Sequence, residues 1–498
     1  MASTVLRGGR VIDPASATDR VADVLVENGK IAAVGPGLEG GTVIDVTGMI
    51  VGPGFVDLHS HVHSISGQRL QALDGVTAAL DLEAGVMPVA LGYARAAQEG
   101  RPLHYGFSAS WASARGQVLS GITPTADFHQ SMALLADPDW QRSSSQAELG
   151  TWLELVSDEL EAGALGVGVL LGYAPRSDPA EFLALARLAA EAGVPTFTHV
   201  RELVEFDPET PIDGSSEIAV VAAETGAHMH HCHVNSTSRR HIDRVLATLE
   251  RARTEGSAVT VEAYPYGSGS TAVGAVFLDP ERLARRGLTP DRIVLLPSGE
   301  RVADASRLRQ VRAETPGMVC IVENLDERDP ADVALLEQSL TFPDSCVASD
   351  AMPVIWPDGG TESRRWPLPP GGSTHPRTAG TFTRALRIFV RELGAWSWLE
   401  AFRRCSYLPA RVLDFAPAAR AKGHLGIGAD ADLVVLDPEL VTDTATYLDS
   451  TSPAVGVRHL LVSGTPVVSD GELVADAFPG KPIRAEPGGA PARPVGEP

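Results

Sequence analysis

Asp57-Leu58-His59-Ser60-His61 follows Pro53-Gly54-Phe55. Two imidazoles two residues apart on an extended strand point to the same side, so one divalent cation can meet both. Neutral imidazoles suit zinc and related first-row metals. On its own an H-x-H could equally be a pair of surface histidines after a turn. His199 stands next to last in the run PTFTHV and His233 next to last in HMHHCHV, so two neighbouring parallel strands would each present an imidazole near its end. Asp350 ends SCVASD, where a carboxylate can touch a metal and take a proton from water. Taken singly, each has a plainer role: His199 and His233 as core histidines, Asp350 as a turn cap.

Two cations side by side need an anionic bridge, and a lysine carboxylated by carbon dioxide is one solution. The only lysines are Lys30, Lys422 and Lys481, all outside the segments that carry the histidines, so that chemistry is excluded. Glu83, ending VTAALDLE, can substitute with its two oxygens; its plainer role is a salt bridge. Tyr264 and Tyr266 in Glu262-Ala263-Tyr264-Pro265-Tyr266 bring phenols able to donate to an oxyanion, or else are core residues. Alternation sends His228, His230 and Cys232 to the face opposite His233, and His63, His104, His129, His375 and His424 belong to no constellation.

These residues need a frame that gathers them. Eight apolar or mixed runs end in polar residues: 54–61, 76–83, 103–110, 164–171, 195–200, 228–234, 258–266 and 345–350. Helical text separates several of them, over 88–98, 144–162, 179–192, 215–225 and 238–253. This is the pattern of a parallel (β/α)8 TIM-like barrel, whose active site lies at the strand C-termini. Residues 1–52 read as short strands divided by turn signals, and 411–478 read alike. The two ends are therefore expected to build one small β-sandwich beside a barrel over 53–410. The connection between the seventh and eighth strands is too long for a barrel loop and is read as an inserted lid at about 275–340. Residues 479–498, rich in Pro, Gly and Ala, are expected to be a disordered tail.

Composition narrows the partners. The 498 residues are 44% hydrophobic and 21% charged, with a formal charge of -22, which disfavours nucleic acid and anionic membranes. No run reaches the roughly 20 apolar residues of a membrane span, and no leader is evident. Four cysteines without a framework fit reduced thiols in a cytoplasm. A small-molecule substrate is the expected partner, and a homo-oligomer is left open.

The segments VTGMIVGPGFVDLHSHVH, GALGVGVLLGYAP, FTHVRE, HCHVNS, EAYPYGSGST, SDAMP, THPRTAGTF, SYLPARVL and GIGADADLVVLDP, in that order, resemble the amidohydrolase superfamily. The likeness covers nearly the whole chain and is greatest to the N-acyl-D-amino-acid deacylase (D-aminoacylase) branch. It implies zinc, as one or two divalent ions, with His59 and His61 at one position, His199 and His233 at the other, and Asp350 as catalytic acid/base. It further implies that Tyr264, Ser270 and Arg377 hold the substrate and its carboxylate. Two departures stand out. The branch's bridging cysteine is replaced by LEAG, which puts the bridge on Glu83, and a lysine two residues beyond the sixth-strand histidine is Asn235, which takes a charge from the substrate clamp.

The expected reaction is cleavage of a small-molecule amide by metal-activated water, with Asp350 moving the proton to the leaving nitrogen and Tyr264 steadying the oxyanion. Opening of a cyclic amide or imide uses the same chemistry. A deaminase is a further alternative, because His199-Val200-Arg201-Glu202 imitates an H-x-x-E arrangement. A non-enzymatic assembly protein on this fold fits least, given the full set of histidines.

Overall fold

In the computed structural model, which describes residues 3–486, all eight expected runs are strands. They are β1 (Phe55–Asp57), β2 (Val76–Val86), β3 (His104–Ser110), β4 (Val167–Leu170), β5 (Thr196–His199), β6 (Met229–His231), β7 (Val259–Ala263) and β8 (Ser345–Val347). They lie side by side in chain order in one eight-stranded sheet. The register is parallel, with Phe197 opposite both Gly168 of β4 and His230 of β6. Every residue of β2 and β3 is buried, as strands covered on both faces require. Beyond the regular strands, Ser60 bridges Ala351 in parallel, linking the segments that follow β1 and β8.

The helices between strands follow local rules. Pro179–Ala192 opens on a capping box between Asp178 and Glu181 and stops at Gly193, whose φ of 69° glycine adopts without strain. Gln146–Glu161 opens on the same device, Ser145 with Glu148. The helical text over 238–253 resolves into a short helix Val234–Ser238, one 3-10 turn, and the helix Ile242–Thr254. The break falls at Arg239, with φ 47°, because a left-handed residue cannot continue a right-handed helix.

The described chain divides into two compact units, residues 3–80, 95–106 and 346–483 in one and 81–94, 107–345 and 484–486 in the other. The first unit contains the sheet of both chain ends. Nine strands form it, and Ile50–Pro53 pairs antiparallel with Leu433–Leu436, placing Val51 opposite Val435. Leu6, Val11, Val24, Val51, Leu433, Val435 and Leu461 share its core. Lys422 is buried there, with Nζ 2.6 Å from Asp432 and 3.0 Å from Asp430, while His104 Nε2 lies 3.0 Å from the other Asp432 oxygen. Removing one partner of such a buried group leaves uncompensated charge. Lys422→Ala is therefore expected to cost about 3–5 kcal/mol, read from the denaturant midpoint.

The second unit contains the insertion, whose Ser268–Ala272, Ile293–Leu295 and Val319–Glu323 form a separate three-stranded antiparallel sheet. The expected loose tail begins differently. Gly480 N donates to Arg101 O at 2.9 Å, Ile483 N donates to Tyr105 O at 2.7 Å, and Ile483 is buried. Composition missed this because a bridge to β3 needs only backbone groups and one apolar side chain. Residues 487–498 lie outside the described residues. Among the described residues no helix is long and apolar enough to cross a membrane.

Candidate metal centre

In the first unit the alternation expected of Asp57-Leu58-His59-Ser60-His61 holds. The rings of His59 and His61 meet edge to face, centroids 4.9 Å apart, with Nε2 atoms 3.1 Å apart. Asp350 Oδ1 lies 3.4 Å from His59 Nε2 and 3.5 Å from His61 Nε2, and Asp350 Oδ2 lies 2.9 Å from Arg377 Nη2. Three donor atoms thus converge, two imidazole nitrogens and a carboxylate oxygen, a set that suits a zinc-type cation. Arg377 occupies one carboxylate oxygen and leaves the other toward the imidazoles.

Asp57 holds this arrangement. It accepts from His59 N at 3.2 Å, Ser349 N at 3.0 Å, Gln71 Nε2 at 2.9 Å and the Ser349 hydroxyl. Ala351 N donates to Ser349 Oγ at 3.0 Å, and His61 N donates to Ala351 O at 2.9 Å. These bonds surround Asp350 and sustain its φ of 51°, a conformation that costs a non-glycine residue energy and turns its side chain out of the strand line. Burial pushes the Asp57 carboxyl up to about 7, against the hydrogen bonds from Ser349 and His59 that pull it down. Sequence reasoning passed over Asp57, Gln71 and Ser349. The only signals were the acidic residues' positions within DLHSH and SD, which say nothing about which strand they tie together.

In the second unit Glu83, His199 and His233 form a further cluster. Glu83 Oε1 lies 3.1 Å from His199 Nδ1 and 2.7 Å from His233 Nε2. Their ligand atoms are close enough to hold one ion. Burial holds the His199 imidazole below its ordinary range, opposed by its bond to Glu83; a neutral ring is the form that coordinates. Its ring packs on Tyr173 at 4.6 Å and stacks on Phe277 of the insertion at 6.0 Å. Gly172 makes room for it: a Cβ there would stand 2.5 Å from His199 Cδ2 and 2.7 Å from Val200 O. Gly172→Ala should therefore displace the imidazole, lower the melting temperature by the equivalent of about 1–3 kcal/mol and weaken metal retention.

Several expectations change. His233 does not sit on β6. The strand ends at His231 and His233 caps the next helix with φ 33°, so alternation no longer governs it. His230, expected to face away, shares Glu262 with it: His230 Nε2 lies 3.0 Å from Glu262 Oε2, and His233 N lies 3.4 Å from Glu262 Oε1. Asn235 bonds to the backbone, donating to Tyr264 O at 3.2 Å. Ser270 lies within the insertion's sheet and donates to Cys320 O at 3.0 Å. Tyr264 stays beside the cluster, its ring centroid 6.5 Å from that of His233. Glu202 of the H-x-x-E arrangement pairs with Arg286 at 3.1 Å, and its neighbour Arg201 binds Glu217 with two bonds of 2.9 and 3.0 Å. Trp356 and Trp366 pack with Leu70 and Ala379 in the first unit.

Comparison with known proteins decides the family, since residues 42–320 match the amidohydrolase family. The chain belongs to the amidohydrolase family. This amidohydrolase is 28% identical over 484 residues to an N-acyl-D-glutamate deacylase of Alcaligenes xylosoxydans xylosoxydans, covering 93% of each chain. It is 26% identical to a D-aminoacylase of the same organism, covering 93% of this chain and 94% of the relative. Among solved structures it resembles the N-acyl-D-glutamate deacylase of Bordetella bronchiseptica complexed with zinc and a phosphonate inhibitor. That likeness has a TM-score of 0.75 and 26% identity, and covers 97% of this chain and 99% of the other. The amidohydrolase is accordingly a metal-dependent hydrolase of carbon–nitrogen bonds other than peptide bonds, acting on small molecules.

Proposed function

We propose that this amidohydrolase removes the acyl group from an N-acyl amino acid of the D hand, with zinc held by His59, His61 and Asp350 and by Glu83, His199 and His233. The observation that carries the reading is Asp350, one oxygen against two imidazoles and the other on a fully buried arginine. The near full-length likeness to two acyl-amino-acid hydrolases supports the substrate class. Zinc, when bound, supplies Lewis acidity that makes water nucleophilic near neutral pH and polarises the amide carbonyl.

The chain's own residues do the rest. Asp350 takes the proton of the attacking water on Oδ1 and delivers it to the leaving nitrogen, acting as base and then acid. Arg377 holds Oδ2 of Asp350 and so aims Oδ1. Tyr264 donates its phenol to the oxygen that gains charge. A cytoplasmic location is supported by four cysteines that are all buried and form no disulfide among the described residues. The test is elemental analysis of the purified protein combined with N-acetyl amino acids of both hands, hydantoins and imides. Hydrolysis confined to the N-acetyl-D series is expected. Turnover of cyclic amides alone would replace this reading with the ring-opening one.

A further inference from the structure

The parallel ladder between β6 and β7 stops at His231, opposite Val261. Two residues later the chain turns at His233, with φ 33°, a conformation that a non-glycine residue keeps only when its surroundings impose it. Both backbone groups of His233 are held. Its N–H donates to Glu262 Oε1 at 3.4 Å, and its carbonyl accepts from Ser236 N at 2.9 Å and Ser236 Oγ at 3.3 Å. Asn235 ties the same turn to the end of β7. Its Oδ1 accepts from Tyr264 N at 3.4 Å, and its Nδ2 donates to Tyr264 O at 3.2 Å and to Tyr266 O at 3.5 Å.

One side-chain amide thus takes both backbone groups of Tyr264, as a neighbouring strand would, and carries the pairing of β6 with β7 past the point where the ladder ends. Asn235, Glu262 and Tyr264 are 3%, 1% and 1% exposed. These bonds are therefore made away from competing water, where leaving them unmade is costly. Glu262 is itself oriented. Its Oε2 lies 3.0 Å from His230 Nε2, His230 Nδ1 lies 2.8 Å from Thr260 Oγ1, and the same hydroxyl lies 2.8 Å from His228 Nε2. His228 and His230, like Thr260 and Glu262, stand two residues apart and so share a face of neighbouring strands, which lines up the chain of bonds that ends at the His233 turn.

We infer that Asn235 and Glu262 are positioning residues that lock two working groups into one frame. One is the His233 imidazole, whose Nε2 lies 2.7 Å from Glu83, and the other is the Tyr264 side chain, its ring centroid 6.5 Å from that of His233. This inference rests on the reading above that Glu83, His199 and His233 hold zinc and that Tyr264 donates to the oxyanion. The spacing matters because a donor lowers the barrier only where the charge develops, and a misplacement of about 1 Å can cost about 100-fold in rate. Glu262 acts on the metal ligand alone; Asn235, bonded to Tyr264 and two residues from His233, acts on both.

The test uses the full-length protein. Zinc affinity is measured by chelator competition, beside kcat and KM for N-acetyl-D-glutamate and the melting temperature of the metal-free form. Asn235→Ala is expected to weaken zinc at the Glu83 position about 10–100-fold, the usual effect of losing an outer partner of a metal ligand. With its zinc content restored, kcat should stay about 10–100-fold down and KM should hold near the parent value, because Tyr264 has lost its anchor. Glu262→Gln, which keeps the size and an acceptor oxygen but not the charge, should weaken the same ion about 2–10-fold. Should Asn235→Ala not fold, Glu262→Gln decides by the same reading. A lowered melting temperature with parental zinc affinity in both variants would make these bonds structural only and overturn the inference. A rise in KM alone would make Asn235 a substrate contact and overturn it as well. If N-acetyl-D-glutamate is not hydrolysed, the deacylase reading fails separately and the zinc affinities still decide. If the parent holds no ion at the Glu83 position, the metal reading fails; a crystal structure of Asn235→Ala must then show the His233 imidazole displaced from Glu83, or the positioning role falls too.

Discussion

Asp350→Asn is expected to lower kcat about 10²–10⁴-fold, the usual worth of a positioned general base and acid, while the protein keeps its fold and the metal at Glu83, His199 and His233. Asparagine has the same shape, and its amide oxygen can still meet Arg377 Nη2, now 2.9 Å from Asp350 Oδ2. The position facing His59 and His61, at 3.4 and 3.5 Å, would then carry an amide nitrogen with no lone pair for a proton. Water could no longer be deprotonated there, nor the leaving nitrogen protonated. The loss should appear in kcat and kcat/KM together, because the interaction belongs to the transition state. Elemental analysis beside the rate measurement separates lost chemistry from lost metal. Activity within tenfold of the parent would remove Asp350 from the mechanism.

The second large effect concerns Glu83. Its Oε1 receives both His199 and His233, at 3.1 and 2.7 Å, so one carboxylate aligns the pair. Glu83→Gln keeps the size and removes the charge. A neutral amide oxygen is a poor partner for a divalent cation, and its NH2 group would confront imidazole nitrogens. Metal content at matched free zinc is expected to fall by about one equivalent, with affinity at that position weakened about 100-fold or more. Turnover should return in part at high zinc concentration. Full metal content in the variant would show that Glu83 is only a hydrogen-bond partner to two histidines.

Much of the ligand set was legible before any coordinates because it depends on local rules. H-x-H on an extended segment points both rings one way whatever surrounds it, and the structure brings the two Nε2 atoms within 3.1 Å. The lack of lysine in the barrel text ruled out a carboxylated bridge by simple inventory. Glu83 of β2 and His199 at the end of β5 meet although β3 and β4 lie between their strands in the sheet, because both stand in the C-terminal part of parallel strands. Reading failed where the chain leaves the strand. His233 was assigned a face by alternation, but its φ of 33° belongs to a helix cap, so His230 and His233 meet the same Glu262.

Sequence alone determined the eight parallel strands, the sheet shared by both chain ends, and the residue types able to hold a cation. Periodicity, turn chemistry and composition are properties of short stretches, and they survive without knowledge of the partner segments. Only the tertiary structure decided what each polar group does. Asn235 and Ser270 bond to backbone carbonyls, Arg377 pairs with Asp350, and Asp57 ties β1 to the turn after β8. Such roles depend on which acceptor lies within about 3 Å, and that distance is set by packing among residues as far apart in sequence as Asp57 and Ser349, 292 positions.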